Sequence, residues 1–315
     1  MTKLWYGGSP SLSSKKSKSL IHPFVVKDYD GLTINPYQGC HHRCAYCYAT
    51  YEWSPDFYDK VYAKSNAAEV LESQLARWKS ETIGPVMVSS ATDCYQPAEL
   101  RFGLTRKCVN VLQKYNVPYY VFTKSALIER DLELHRRYRD NCFIVWSITT
   151  VNENTRRIIE PGTPPSQKLF AAIKKFTEAG VCCGVNVDPI IPLVTDTEEE
   201  LGAIADSCKQ AGVSRVFGAM MRLRSDIWDR MKTVFELLGL ESAIPQYQKK
   251  IYVFEEPLGS SLYLSADGSY SNKVMSLLTK KLSENGIDGG FPDFLKKSRL
   301  AKVNSSQTSL ATYFT

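Results

Sequence analysis

The strongest constraint on this chain is a regular alternation of strand-like and helix-like segments. Apolar, β-rich runs fall at residues 32–35, 86–89, 118–123, 143–148, 181–187 and 215–220. Between them, residues 67–79, 104–115, 127–139, 167–179 and 198–211 carry apolar side chains at helical spacing. Gly180 and Gly212 stand where helix C-caps belong, just before the next strand. Strands that each lead into a helix build parallel βαβ units. An incomplete (β/α)6 barrel and a doubly wound open sheet both satisfy this pattern, and the strand count favours the barrel. Either arrangement places a ligand site at the carboxyl ends of the strands.

With 315 residues, 43% of them hydrophobic, the chain can bury a core of barrel size. Residues 1–30 read as an irregular arm and 31–239 as the α/β barrel. Residues 240–300 read as a C-terminal α/β extension, with regular structure at 250–254 and 272–285. Residues 301–315 form a polar tail with an apolar end. The net charge of +6 is compatible with a polyanionic partner without establishing one. Nine cysteines, no leader and no membrane-length apolar run point to a reducing compartment. That means the cytoplasm, or the nucleus if the source is eukaryotic.

The chemically unusual residues cluster after the strands. Residues 35–49 contain Cys40, Cys44 and Cys47 in C-x3-C-x2-C spacing, in the loop after the first strand. Three thiolates can ligate three irons of a [4Fe-4S] cube and leave the fourth iron open to a small ligand. A zinc site completed by His41 or His42 is the alternative. The other cysteines fit buried small hydrophobes, with Cys94 as the exception. Ser90, Thr92 and Asp93 follow the second strand, Lys124 the third, and Ser147 lies at the end of the fourth. Hydroxyls at such positions suit the amine and ribose of a zwitterionic ligand, and a lysine suits its carboxylate.

These motifs resemble the radical S-adenosylmethionine (SAM) superfamily, and within it the spore photoproduct lyase-related, photolyase-like branch. The similarity runs from about residue 32 to 220 and includes Glu160-Pro161-Gly162-Thr163-Pro164 and Asp188-Pro189-Ile190-Ile191-Pro192. It implies a radical SAM barrel that binds a [4Fe-4S] cluster and SAM and cleaves SAM to a 5′-deoxyadenosyl radical. It also implies an electron donor such as ferredoxin or flavodoxin. Tyr46 and Tyr48 match positions linked to hydrogen transfer, and Thr92 and Lys124 match SAM-contacting positions. Tyr46, Ser90, Thr92, Asp93, Lys124 and Ser147 are therefore the candidate cofactor-binding residues. Ser90 stands where that branch carries a hydrogen-donating cysteine. Cys94, four residues on, joins Tyr46 and Tyr48 as a candidate catalytic residue.

The chain ends in Gln307-Thr308-Ser309-Leu310-Ala311-Thr312-Tyr313-Phe314-Thr315. This resembles the PIP box that binds the sliding clamp PCNA. One helical turn would put Leu310, Tyr313 and Phe314 on one face as apolar anchors, with Gln307 at the rim. The resemblance implies a DNA-associated enzyme from an archaeal or eukaryotic source. Arg101, Arg106, Lys107, Arg136, Arg137, Arg139, Arg222 and Arg224 are then candidate phosphate contacts. The expected activity is lyase-type repair of a DNA pyrimidine lesion. A radical SAM enzyme acting on RNA or a peptide, and a non-catalytic cluster-bearing clamp adaptor, are the alternatives.

Overall fold

Strand order decides between the two α/β arrangements. The computed structural model describes residues 8–26, 29–50, 56–78, 83–259, 263–290 and 292. Its strands are β1 (Ser11–Lys15), β2 (Ile21–Val26), β3 (Tyr29–Ile34), β4 (Tyr37–Gln38), β5 (Lys60–Lys64) and β6 (Val86–Val88), followed by β7 (Tyr119–Thr123), β8 (Cys142–Ser147), β9 (Cys183–Ile190), β10 (Arg215–Met220) and β11 (Asp288–Gly289). The main sheet runs β2-β3-β6-β7-β8-β9-β10-β11. From β3 to β11 every neighbouring pair is parallel, and β2 joins the edge antiparallel to β3. In this sheet β3, β6, β7, β8, β9 and β10 lie side by side in chain order, with helix between each successive pair. A doubly wound sheet needs a reversal of strand order, and this sheet has none. The fold is an incomplete (β/α)6 barrel with a C-terminal α/β extension.

Residue alternation explains how the strands serve both faces. Val121, Ile144, Trp146, Val185 and Val187 pack outward with helix residues such as Leu169, Ile173, Phe176 and Ile204. Tyr120, Phe143 and Val145 face the other way and meet Met87, Phe122 and Phe217 inside the barrel. Gly184 makes room there, because a Cβ on it would lie 2.5 Å from the Phe143 ring. Aromatic side chains thus fill the barrel floor and leave the carboxyl ends of the strands for the site. The C-caps fall as expected, with Gly180 at φ +75° and Gly212 at φ +71°.

Three expectations need correction. Part of the N-terminal arm is regular: β1 pairs parallel with β5, and β4 pairs antiparallel with β5, in a second small sheet. The polar Ser11–Lys15 run has no apolar stripe, so backbone pairing rather than side-chain pattern makes it a strand. Residues 127–139 are a 3-10 turn, Leu127–Asp131, followed by a short α-helix, Leu132–Arg136. Residues 250–254 begin in a π-helical turn, Tyr247–Ile251. The helix Gly268–Glu284 packs Val274, Leu278 and Leu282 on the barrel, and β11 extends the sheet beside it. The tail residues Gln307, Leu310, Tyr313 and Phe314 lie outside the described residues. Among the described residues no helix is long and apolar enough to cross a membrane.

Candidate functional site at the cysteine loop

The loop after β3 is built by close backbone approach. Gly39 has φ +81°, and a Cβ on it would lie 2.1 Å from the Lys60 carbonyl oxygen. Only glycine permits that contact as the chain leaves β4 for Cys40. Cys40 and Cys44 are buried, Cys47 is half-buried, and all three are free thiols. Burial pushes Cys40 up to about 12 and raises Cys44 and Cys47 as well. Cys40 feels the charge of Cys47, and Cys44 feels those of Cys40 and Cys47, so the three lie close together. Backbone amides oppose the rise: those of His42 and Asp93 at Cys40, those of Ala49 and Thr50 at Cys47.

This donor set fits an iron–sulfur cluster. Buried thiols need nearby cations to ionise at neutral pH, and amide N–H groups stabilise the cluster sulfurs. A single-ion site fits less well. Among the described residues no group of three His, Cys, Asp or Glu side chains gathers closely enough to hold one ion. The histidines are also engaged elsewhere. The His41 ring Nδ1 lies 2.8 Å from Gln96 Oε1. His42 Nε2 lies 2.8 Å from Asp93 Oδ2, and its Nδ1 lies 3.0 Å from the Gly162 carbonyl oxygen.

Distant segments clamp the loop. The Gly162 amide donates to the His42 carbonyl at 3.0 Å, and the Ala45 amide to the Ile159 carbonyl at 2.8 Å. A Cβ at Gly162 would stand 2.2 Å from the His41 carbonyl oxygen. The 160–164 motif therefore seats the cysteine loop by backbone contact. Tyr58 donates its hydroxyl to the Cys44 carbonyl at 2.6 Å. Arg230 donates from Nε to the Ala45 carbonyl at 2.6 Å and from Nη2 to the Cys47 carbonyl at 3.2 Å. Tyr58 and Arg230 carry no sequence signal linking them to the cysteines, and their roles emerge only from the fold.

Beneath the loop lies a buried charge cluster. Tyr46 donates its hydroxyl to Glu160 Oε1 and meets Thr149 Oγ1 at 3.0 Å. Glu160 Oε1 also pairs with Lys124 Nζ at 3.0 Å, and its Oε2 with Arg156 Nη1 at 3.0 Å. Burial resists ionisation of Glu160, but Arg156, Lys124 and the Tyr46 hydrogen bond outweigh it and pull the carboxyl down to about 2. Lys124 Nζ stands 5.4 Å over the Tyr46 ring and reaches the Ser147 carbonyl at 3.4 Å. Tyr46, Lys124, Ser147 and the cysteines are thus brought together.

Other candidates sit differently. Asp93 accepts from Thr123 Oγ1 at 2.8 Å, the Lys124 amide at 2.6 Å and the Tyr95 amide at 2.8 Å, besides its contact with His42. Its carboxylate thereby orders three loops. Cys94 is fully buried in the outer apolar core, with Sγ 3.8 Å from the Phe122 carbonyl oxygen. Its thiol lies among core side chains such as Tyr95, Cys108 and Val121, whereas Cys40, Cys44 and Cys47 pack in other clusters. Ser90 Oγ accepts from Asn35 Nδ2 at 3.0 Å, and the Ser90 carbonyl accepts from the Tyr48 hydroxyl. Thr92 Oγ1 makes a long 3.4 Å bond to the Tyr37 carbonyl. Tyr48 is 44% exposed beside the loop.

The lumen adds two residues to which the sequence reading gave no role. Val185 and Val187 point outward, so Asn186 and Asp188 point into the barrel, where Asn186 Nδ2 donates to Asp188 Oδ2 at 3.3 Å. Asp188 opens onto the lumen, yet the surrounding protein pushes its carboxyl up, and the nearby charges of Lys124 and Arg222 oppose that rise. Several candidate phosphate contacts are already engaged. Arg106 pairs with Asp131 and Arg136 with Glu133, Arg137 bonds Asn110 at 2.7 Å, and Arg224 is buried. Arg101, Lys107, Arg139 and Arg222 remain exposed.

Residues 34–208 match the family described as the radical SAM superfamily. An uncharacterized protein of Mycobacterium tuberculosis is 33% identical over 209 residues, which cover 62% of this chain and 61% of that protein. An uncharacterized protein of Acidianus two-tailed virus is 30% identical over 232 residues, covering 66% and 75%. The chain spans about three-fifths of the length of the mycobacterial relatives it matches. In fold it is similar to a spore photoproduct lyase complexed with dinucleoside spore photoproduct. The TM-score is 0.68 at 14% identity, over 89% of this chain and 82% of that one. A mutant of that lyase with bound AdoMet and dinucleoside spore photoproduct gives a TM-score of 0.66 at 13% identity, over 89% and 81%.

Proposed function

The chain belongs to the radical SAM superfamily, with a [4Fe-4S] cluster and SAM as its cofactors, and from that premise we propose that it repairs a pyrimidine lesion in DNA. When bound, the two cofactors supply a 5′-deoxyadenosyl radical that can take a hydrogen atom from a substrate. The observation that carries the proposal is the extent of the fold likeness. It spans 89% of this chain, well beyond residues 34–208, and includes a lyase complexed with dinucleoside spore photoproduct.

Within this reading each residue has a defined task. Cys40, Cys44 and Cys47 ligate three irons. Lys124, held by Glu160 at 3.0 Å, offers its ammonium to the SAM carboxylate. Ser147, Ser90 and Thr92 lie on the same rim and serve its amine and ribose. Tyr46 is tied to Glu160 and Thr149 beside the cysteine loop and would help to hold SAM. Tyr48, exposed beside the cysteine loop, would pass a hydrogen atom to or from a bound lesion. The lesion must leave the base stack to reach this depth. An electron donor such as ferredoxin or flavodoxin would supply the electron that such a cluster needs.

The tail completes the proposal. Gln307, Leu310, Tyr313 and Phe314 dock on PCNA and raise the local concentration of the enzyme at DNA. Clamp binding unchanged by Tyr313→Ala with Phe314→Ala contradicts this part.

The test is to incubate the reconstituted, reduced protein with SAM and ultraviolet-irradiated DNA, and to identify products by mass. The expected result is loss of one class of pyrimidine adduct with recovery of unmodified bases. SAM cleavage with no change in the DNA would overturn the lesion assignment and favour an RNA or peptide substrate. An intact, reducible cluster with no SAM cleavage would favour a non-catalytic adaptor.

A further inference from the structure

We propose that Arg230 is a positioning residue for the cysteine loop, and that its charge sets how readily the cluster held there is reduced. This rests on Cys40, Cys44 and Cys47 holding that cluster. Arg230 belongs to the helix Ser225–Leu238, outside the residues that match the family. It reaches across 185 positions to Ala45 and 183 to Cys47.

The geometry is that of a clasp. Nε takes the Ala45 carbonyl at 2.6 Å, and Nη2 takes the Cys47 carbonyl at 3.2 Å. Nη2 also meets Thr50 Oγ1 at 3.3 Å and Asp226 Oδ2 at 3.1 Å. Thr50 Oγ1 bridges the same groups, at 2.9 Å from the Cys47 carbonyl and 2.7 Å from Asp226 Oδ2. The guanidinium lies 5.8 Å from the Tyr58 ring, whose hydroxyl holds the Cys44 carbonyl at 2.6 Å. The last two cysteines of the motif are therefore fixed by one helix and the tyrosine packed on it. A planar fork holds two carbonyls in fixed relation, whereas an ammonium has no such fixed geometry.

The second half follows from charge. The Arg230 side chain is 13% exposed, so solvent screens it poorly. Reduction adds one electron to the cluster, and a nearby positive charge favours the more negative state. Asp226 offsets part of that charge but is more exposed, at 33%.

The test uses anaerobically reconstituted wild-type, Arg230→Gln and Arg230→Lys chains without SAM. Iron and sulfide per chain are measured, and a redox titration is followed by electron paramagnetic resonance. Arg230→Gln is expected to show a reduced-to-oxidised ratio lower by about tenfold at a fixed potential. Arg230→Lys is expected to keep the wild-type ratio but to hold less iron, because the charge stays while the fork is lost. Wild-type ratio and iron content in Arg230→Gln would overturn the proposal. If Arg230→Gln takes up no iron, reduced iron content in Arg230→Lys supports the clasp and wild-type content overturns it. Failure of the wild-type chain to take up a cluster would overturn the cluster assignment instead.

Discussion

Lys124 Nζ and Glu160 Oε1 form a 3.0 Å ion pair directly below the cysteine loop, with the glutamate fully buried and the lysine side chain 14% exposed. One end of the pair is anchored in protein while the other borders the lumen. The carboxylate is satisfied three times over, by Lys124, Arg156 and Tyr46, so the ammonium can take a second anionic partner without leaving Glu160 orphaned.

Replacing Lys124 with Met therefore weakens SAM binding more than it weakens the fold. The expected loss of affinity is about tenfold or more, the scale of one charge-assisted hydrogen bond. Equilibrium binding of SAM to the reconstituted variant measures it, with iron content as the control. Unchanged affinity at normal iron content removes Lys124 from the SAM site.

Glu160 contributes a pH-dependent share of stability. Its folded carboxyl is pulled from 4.5 down to about 2, so its contribution is complete above about pH 4.5 and is lost as the pH falls toward 2. Glu160→Gln leaves Arg156 and Lys124 facing a neutral group and costs about 3 kcal/mol at neutral pH. Denaturant melts across that acid range check the sign: the wild-type chain loses stability on acidification and the variant loses less. Parallel pH dependence in both contradicts the buried pairing.

His135 acts in a different window. It is fully buried, and its ring meets the Tyr95 and Tyr119 hydroxyls at 3.0 Å each. Burial lowers it from 6.5 to about 4. Between those values the unfolded chain binds a proton that the folded chain refuses, so stability falls as pH drops from 6.5 to 4. The loss amounts to about 3 kcal/mol. Denaturant melts across this range should show that step in the wild-type chain and not in His135→Gln. The same step in the variant would assign it to another group.

Gly162→Ala is expected to damage the cysteine loop without touching a cysteine. The new Cβ would collide with the backbone at His41 and His42, and no side chain can move aside to relieve it. Iron content after reconstitution should fall well below wild type while the far-ultraviolet circular dichroism stays close to it. Wild-type iron content contradicts the seating role of the 160–164 motif.

Much of this was legible in the sequence because it is periodic or locally spaced. The β7 and β10 strands, the helices Leu104–Lys114 and Glu198–Gln210 and the caps at Gly180 and Gly212 follow from apolar period and glycine position. The candidate cluster loop could be read from spacing because three cysteines lie within eight residues. Arg230 and Tyr58 were invisible because a side chain that bonds a backbone carbonyl leaves no mark on its partner's sequence. β1 was missed because its pairing is carried by the backbone of β5.

The most direct test of the whole account is reductive cleavage of SAM by the reconstituted chain and by Cys44→Ala. The account predicts 5′-deoxyadenosine from the wild-type chain when it is reduced, and none from the variant. Wild-type protein with a full, reducible cluster that yields no 5′-deoxyadenosine, or equal yield from Cys44→Ala, would contradict it.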